Sequence, residues 1–210
     1  MLVPEPPILD ILYNFHWIRE GEAARSSQAH FGGLGRLMRR HGLKSILNLR
    51  GENSDLSWWR YERHVCERLA ARHIDTMLDS RKLPTRAMLT TLIDAFDQAP
   101  RPFLLKCSGG QDRTSLAAAL YLIHRDGWSG REIAERHFAA LPYLHFPKKH
   151  QRWLRLFPGY AQQASQGSSL ADWIRQAYTP EDFADWLRQR GQGDTFDRIF
   201  TVPTRSRWQW

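Results

Sequence analysis

The sequence predicts an α/β domain built on a mainly parallel sheet. Two short runs, residues 43–49 and 102–106, have the near-continuous hydrophobicity of strands buried on both faces. Longer segments around them repeat apolar residues every three or four positions, and such strand–helix alternation is the pattern of a parallel sheet covered by helices.

Taken in order, residues 12–18 read as a first strand. Residues 31–41 carry Leu34, Leu37 and Met38 at helical spacing, and Gly42 is a natural stop. After the 43–49 strand, a helix is expected over 58–73, with Val65 and Leu69 on its inner side, and a returning strand over 73–78. Pro84 opens a helix through Phe96 that turns Leu89, Leu92, Ile93 and Phe96 inward. The 102–106 strand then leads into a strongly apolar helix over 114–125. Beyond it, helices are expected over 129–140 and 147–157, a polar loop over 162–169, and a helix pair over 170–178 and 180–190, the second capped by Thr179. Residues 191–210 show no period and are expected to be partly disordered. The division expected is a domain over 1–160, with a helical extension and tail over 161–210 packed on it.

Composition excludes several classes. The chain has 210 residues, 42% hydrophobic and 25% charged, which are globular values rather than those of a disordered or fibrous chain. Two cysteines cannot build a disulfide scaffold and suit a reducing compartment. The apolar stretch 116–123 is too short to span a bilayer, and the N-terminus lacks a basic-then-apolar signal pattern. A cytoplasmic domain is therefore expected. The net charge of +8 asks for an anionic partner without naming it.

Chemistry is concentrated in residues 103–120, FLLKCSGGQDRTSLAAAL. An apolar strand runs into Cys107, a small polar loop follows, and a helix begins near Arg113 and Thr114. A helix N-terminus presents unpaired N–H groups and partial positive charge, so an anion is favoured there. Gly109 and Gly110 let successive amides of the loop, Ser108 to Asp112 with Gln111 between, turn inward as a nest for a tetrahedral oxyanion. The Arg113 guanidinium adds two parallel donors. Near such a centre a thiol pKa falls from about 8.5 to roughly 3.5–7.5. Cys107 would then attack a bound phosphoryl group, with Thr114 hydrogen-bonded to the sulfur, and water would hydrolyse the phosphocysteine. No metal or other cofactor is expected, because Arg113 and the loop amides already neutralise the phosphoryl group. Cys66 also has an arginine six residues on, Arg72, but sits in an amphipathic helix with Leu69 where a glycine is needed, and reads as a buried helix residue.

The Cys107–Thr114 segment resembles the signature loop of the cysteine-dependent protein tyrosine and dual-specificity phosphatase superfamily. The motifs RSSQ at 25–28, ILNLR at 46–50, and Leu83-Pro84 ahead of a helix, in that order, resemble the compact bacterial and fungal–plant atypical dual-specificity phosphatases. The resemblance covers roughly residues 15–126. It implies a four- or five-stranded, mainly parallel sheet flanked by helices, here with extra C-terminal helices, and phosphomonoester hydrolysis. It carries nucleophile, phosphate clamp and hydroxyl onto Cys107, Arg113 and Thr114. One position departs: Lys106 stands where most members have a histidine before the cysteine.

The leaving oxygen needs a proton donor. In the family it is an Asp on a mobile loop about 30 residues ahead of the cysteine, and Asp79 lies 28 ahead. Asp112 is the alternative, because the Asp-Arg-Thr triplet resembles that of myotubularin-like lipid phosphatases; Asp75 falls within the expected strand. Arg50, Arg81 and Lys82 could ring the pocket mouth. A phosphorylated protein, lipid or inositol is thus the expected substrate class, and a phosphate-binding protein without turnover is the rival reading. No nucleic-acid motif is present. Trp58, Trp59, Trp153, Trp173 and Trp186 read as packing residues, Lys148-Lys149-His150 as a solvated helix start, and the Arg- and Trp-containing residues 205–210 as a segment that could touch anionic lipid.

Overall fold

The computed structural model describes residues 8–201. Helix α1 (Ile8–Leu12) leads into strands β1 (His16–Arg19) and β2 (Ala23–Ser26), helix α2 (Gly33–Arg40), strand β3 (Ser45–Asn48), helix α3 (Ser57–Arg68) and strand β4 (Arg72–Asp75). The two-residue strand β5 (Lys82–Leu83), helix α4 (Arg86–Gln98), strand β6 (Phe103–Lys106) and helix α5 (Asp112–Asp126) follow. Helices α6 (Arg131–Glu135), α7 (Trp153–Ala164), α8 (Leu170–Gln176) and α9 (Pro180–Gln189) precede strand β7 (Arg198–Ile199).

Among the described residues the main sheet has five strands in the order β1-β2-β6-β3-β4. All neighbours are parallel except the β1–β2 edge pair. Strand β6 lies at the centre, with Leu104 in register with Ala24 on one side and Ile46 on the other. Its C-terminal end therefore opens at the sheet edge where ligands of parallel folds gather. Helices α2 and α3 cover one face around Leu37, Ile46 and Leu104. Helices α4, α5, α7, α8 and α9 cover the other. Helix α5 is buried from Arg113 to Ile123, so it is apolar all round rather than on one stripe.

The expected elements are present, with instructive differences. Residues 12–18 split into the end of α1 and β1, because Asn14 takes a left-handed turn at φ 49° between them. Strand β2 has no apolar run to announce it; the sequence AARS is strand because β1 and β6 pair with it on both sides. The helix expected over 58–73 ends at Arg68, and a left-handed Ala70 turns the chain into β4. Residues 129–140 form α6 between two single-turn 3-10 segments rather than one helix. The helix expected over 147–157 starts at Trp153 and runs to Ala164, which shortens the polar loop. Thr179 caps α9 through the Asp182 amide at 3.1 Å, and Thr85 caps α4 through the Met88 amide at 3.3 Å.

The C-terminal helices share the main core: Trp153, Phe157, Trp173, Tyr178 and Phe183 pack into it, and the Tyr178 hydroxyl donates to the Pro84 carbonyl at 2.7 Å. Residues 191–201, expected to be partly disordered, instead contain the two-residue strand β7, parallel to β5. Residues 202–210, including the 205–210 segment considered for lipid contact, lie outside the described residues. Among the described residues no helix is long and apolar enough to cross a membrane.

Candidate active site

Strand β6 delivers Cys107 to the base of the 108–111 loop, and α5 starts at Asp112 immediately beyond it. The sulfur lies 3.0 Å from the Thr114 hydroxyl. Burial alone would raise the thiol pKa, but the Arg113 charge, the Thr114 hydroxyl and the amides of Gly110 and Gln111 outweigh it and hold the pKa below its ordinary value. The Arg113 guanidinium donates to the Ser108 hydroxyl at 2.9 Å, which ties the start of α5 back to the residue after Cys107. Cys66 has the opposite environment: buried in α3, its thiol is pushed up to about 12, chiefly by desolvation.

The two loop glycines differ. Gly110 has φ +64°, and a Cβ there would sit 2.4 Å from the Ser27 amide and 2.6 Å from the Ser26 carbonyl carbon. At Gly109 a Cβ would meet only the Gln111 side chain, at ordinary contact distance. The close approach comes from the RSSQ segment, whose Gln28 amide donates to the Ser108 carbonyl at 3.0 Å.

Arg25, the first residue of that segment, is fully buried and holds the loop from behind. Its guanidinium donates to the carbonyls of Gly110 (2.9 Å) and Gln111 (3.3 Å), to the Ser115 hydroxyl (2.9 Å) and to the His137 carbonyl (3.2 Å). The Tyr143 ring covers it at 4.5 Å. Burial, followed by the Arg25 charge, lowers the His137 pKa to about 3, so its imidazole is neutral and Nδ1 accepts from Arg25 at 3.1 Å. Burial also brings Arg25 down to about 10, while the Cys107 charge supports it. Asn14 adds a second donor to the Gly110 carbonyl at 3.0 Å.

Lys106 points to the other face of the sheet. Its ammonium is 2.6 Å from Glu62 Oε1 and 3.1 Å from Gln28 Oε1, and it lies 4.5 Å from the centre of the Trp58 ring. Gln28 also donates to Glu62, and His73 Nε2 lies 3.2 Å from the other Glu62 oxygen. Burial lowers Lys106 to about 8, partly countered by Glu62; burial works against the Glu62 carboxylate, yet Lys106, His73 and Gln28 keep its pKa below normal. Arg50 completes the group, stacked 3.8 Å above Trp58 and donating to Gln28 at 3.2 Å. Trp58, expected as packing, thus carries two cations.

The two acids differ as well. Asp79 is buried, with Oδ1 accepting from the amides of Arg81 (2.8 Å) and Lys82 (3.2 Å) and Oδ2 3.4 Å from the Lys82 ammonium. Its loop is pinned: Ser80 receives bonds from Trp153 and Gln151, the Asp197 amide donates to the Arg81 carbonyl, and the Phe200 amide to the Leu83 carbonyl. Asp112 stands in the first turn of α5, with Oδ2 accepting from Gln151 at 3.1 Å and Oδ1 3.4 Å from His145 Nε2. Burial raises its pKa, against the His145 and Arg113 charges, and burial lowers that of His145. Gln151 joins Ser80 to Asp112, so the 79–83 loop does border the cysteine loop.

By sequence no family model matches the chain, and no curated protein does. Solved structures do match by shape. TpbA from P. aeruginosa aligns over 79% of this chain and 91% of its own, at 18% identity and a TM-score of 0.55. PTPMT1 aligns over 72% and 99%, at 16% identity and 0.53. The catalytic core of the S. cerevisiae PP-IP phosphatase SIW14, crystallised with citrate, aligns over 91% and 97%, at 17% and 0.50. The fold is that of these solved phosphatases.

Within this phosphatase fold the cations expected at the mouth are differently occupied. Arg81 pairs with Asp197 at 2.7 Å and Lys82 with Asp79, whereas Arg50 has no carboxylate at ion-pair distance among the described residues. Lys149 and His150 face Asp194 (2.8 Å) and Asp197 (3.3 Å), so the expected solvated helix start holds the C-terminal segment. Sequence reasoning missed the roles of Asn14, Glu62, His137, His145 and Gln151, all defined by distant partners. Among the described residues no cluster of His, Cys, Asp or Glu that could hold a metal ion is present.

Proposed function

We propose that the chain hydrolyses phosphomonoesters through a phosphocysteine on Cys107, without a metal ion. The observation that carries this reading is the environment of the sulfur: a buried thiol held below its ordinary pKa by Arg113, Thr114 and two loop amides at the start of a helix. These groups would receive the phosphate oxygens and place phosphorus over the thiolate. Sulfur attacks phosphorus, the bond to the leaving oxygen breaks, and that oxygen takes the electron pair and a proton. Water then attacks the phosphocysteine, gives up a proton, and releases phosphate and the thiolate, which Thr114 stabilises.

The geometry supports Asp112 over Asp79 as the proton donor. His145 Nδ1 lies 3.2 Å from the Phe138 carbonyl and donates there when neutral, which leaves Nε2 as an acceptor facing Asp112. A protonated Asp112 would face that acceptor at 3.4 Å, so the pair would keep one proton beside Arg113. The oxygens of Asp79 serve the 79–82 turn and Lys82 instead.

A phosphorylated protein, lipid or inositol remains the substrate class. Arg50 favours a substrate with a second anionic group, because its guanidinium is close enough to Arg113 for that charge, after burial, to depress it.

Turnover of para-nitrophenyl phosphate by the wild type and its loss in Cys107→Ser would support the assignment; no turnover between pH 5 and 8 would reduce the chain to a phosphate-binding protein. Asp112→Asn is expected to slow an alkyl phosphate far more than para-nitrophenyl phosphate, whose leaving group needs no proton. The same selectivity in Asp79→Asn instead would return the role to Asp79. Comparing a phosphotyrosine peptide with an inositol polyphosphate, in wild type and Arg50→Ala, tests the second anionic group.

A further inference from the structure

On the face covered by α2 and α3, the two helices leave a cleft of about 280 Å³. Arg36 and Arg39 reach it from α2, and His64 and Arg68 from α3, over a floor opened by Gly35; no carboxylate lines it. The Arg39 guanidinium folds inward, with Nη1 3.7 Å from where a Gly35 Cβ would stand. Other cations of the same helices are paired, Arg40 with Asp10 and Arg63 with Glu67, both at 3.9 Å. Among the described residues Arg36, Arg39 and Arg68 have neither an acidic partner nor a side-chain hydrogen bond. Tyr61 also lines the cleft, and its buried hydroxyl, faced by the Gly32 and Leu34 amides, has no acceptor for its proton. Gly32, before α2, brings no capping side chain, and the first turn of α2 carries no acid.

Three guanidinium groups around one concavity repel one another, and like charges three apart on a helix disfavour it. Nothing lining the cleft offsets that cost. An anion would offset it, and would give the Tyr61 hydroxyl an acceptor. The cavity has room for a phosphoryl group and part of its ester, and its three arginines line one cleft rather than following the track a nucleic acid strand requires.

We infer that the α2–α3 cleft is a second anion-binding site, separate from the cysteine loop, that takes the phosphoryl group of a small phosphorylated ligand, whether a soluble ester or a lipid headgroup. The site does not depend on turnover at Cys107.

Titrating ¹⁵N-labelled Cys107→Ser protein with inorganic pyrophosphate tests it. The amides of Arg36, Val65 and Arg68 are expected to move along an isotherm distinct from that of Gly109–Asp112. Replacing Arg36, Arg39 and Arg68 together by alanine should weaken the cleft response at least about tenfold, as the loss of charge-assisted hydrogen bonds requires, and leave the loop response in place. Arg113→Ala should do the reverse. Vesicles with and without a phosphoinositide distinguish the sources: sedimentation lost in the triple variant assigns a headgroup, and pyrophosphate binding without sedimentation a soluble ester. The inference is overturned if the cleft amides stay still, or if their response disappears in Arg113→Ala. Equal weakening when Arg175, Arg188 and Arg190 are replaced instead, or displacement of pyrophosphate from the cleft by duplex DNA at lower concentration, also overturns it.

Discussion

Glu62→Gln removes the countercharge of Lys106 while keeping a polar side chain of the same size beside Gln28 and His73. Both side chains are at most 2% exposed, and ammonium and carboxylate stand 2.6 Å apart. A trapped buried charge would cost about 3–5 kcal/mol, but Lys106 has a cheaper response. Burial has already brought its pKa to about 8, so without Glu62 it sheds the proton. At pH 7 the variant then forfeits about one pH unit of protonation energy, or about 1.4 kcal/mol. An unfolded lysine, with a pKa of 10.5, stays protonated throughout. Between pH 6 and 8 the unfolded variant therefore binds one more proton than the folded one, and its stability climbs by about 1.4 kcal/mol per pH unit. The intact protein gains nothing from this group until about pH 8. The deficit should thus be about 3 kcal/mol at pH 6, about 1 at pH 7, and nearly gone by pH 9. Urea unfolding of both proteins at these three pH values measures it, with Glu62→Leu/Lys106→Met as the control whose deficit should be the same at pH 6 and 7 and larger at pH 9, where the intact protein sheds its own Lys106 proton. A Glu62→Gln deficit that is constant from pH 6 to 9, or that grows with pH, would refute the reasoning.

Three further outcomes are expected. Gly110→Ala should abolish turnover and unfold at markedly lower urea, because its Cβ meets backbone at 2.4 Å, while Gly109→Ala should keep most of both properties; equal effects would contradict the loop geometry. Arg25→Lys keeps the charge but loses the fork that serves Gly110, Gln111 and Ser115; about 2–3 kcal/mol of stability should be lost, with kcat falling, as read by urea midpoints and single-turnover kinetics. Iodoacetate at pH 7 should label Cys107 and spare Cys66, whose thiol ionises only at about 12; mass spectrometry of the peptides decides, and modification of Cys66 first would count against the thiolate at Cys107.

What could be read in advance was what neighbouring residues define. The cysteine loop, its glycine and α5 form one continuous stretch, so spacing alone brought Cys107, Arg113 and Thr114 together. What could not be read was the support. Arg25 holds carbonyls at 110 and 111 and an imidazole at 137, and nothing beside it in RSSQ marks those partners. Glu62 looks like a solvated charge within WWRYERHVCER; it is buried only because β6 aims Lys106 at the same space. Gly109 and Gly110 are equivalent in sequence and become different through the approach of the Ser26–Ser27 backbone. Strand β7 pairs with β5 across more than a hundred residues, and a two-residue strand carries no period to detect.

That distant pairing bears on the acid. A donor on a mobile loop works by swinging over the bound substrate, which requires few contacts in the loop's resting state. Here the 79–83 loop is paired with β7, bonded by Trp153 and Gln151, and tied through Arg81 to Asp197. Moving Asp79 would mean breaking those contacts in every cycle, along with its own bonds to two amides. Asp112 needs no such movement, because the helix that carries Arg113 also carries it, Gln151 holds one of its oxygens and His145 faces the other at 3.4 Å. Clamp and donor on one rigid helix turn keep their spacing without loop closure. In the proposed reaction the C-terminal segment therefore contributes indirectly: by immobilising one aspartate in a turn, it leaves the proton to the aspartate inside the loop.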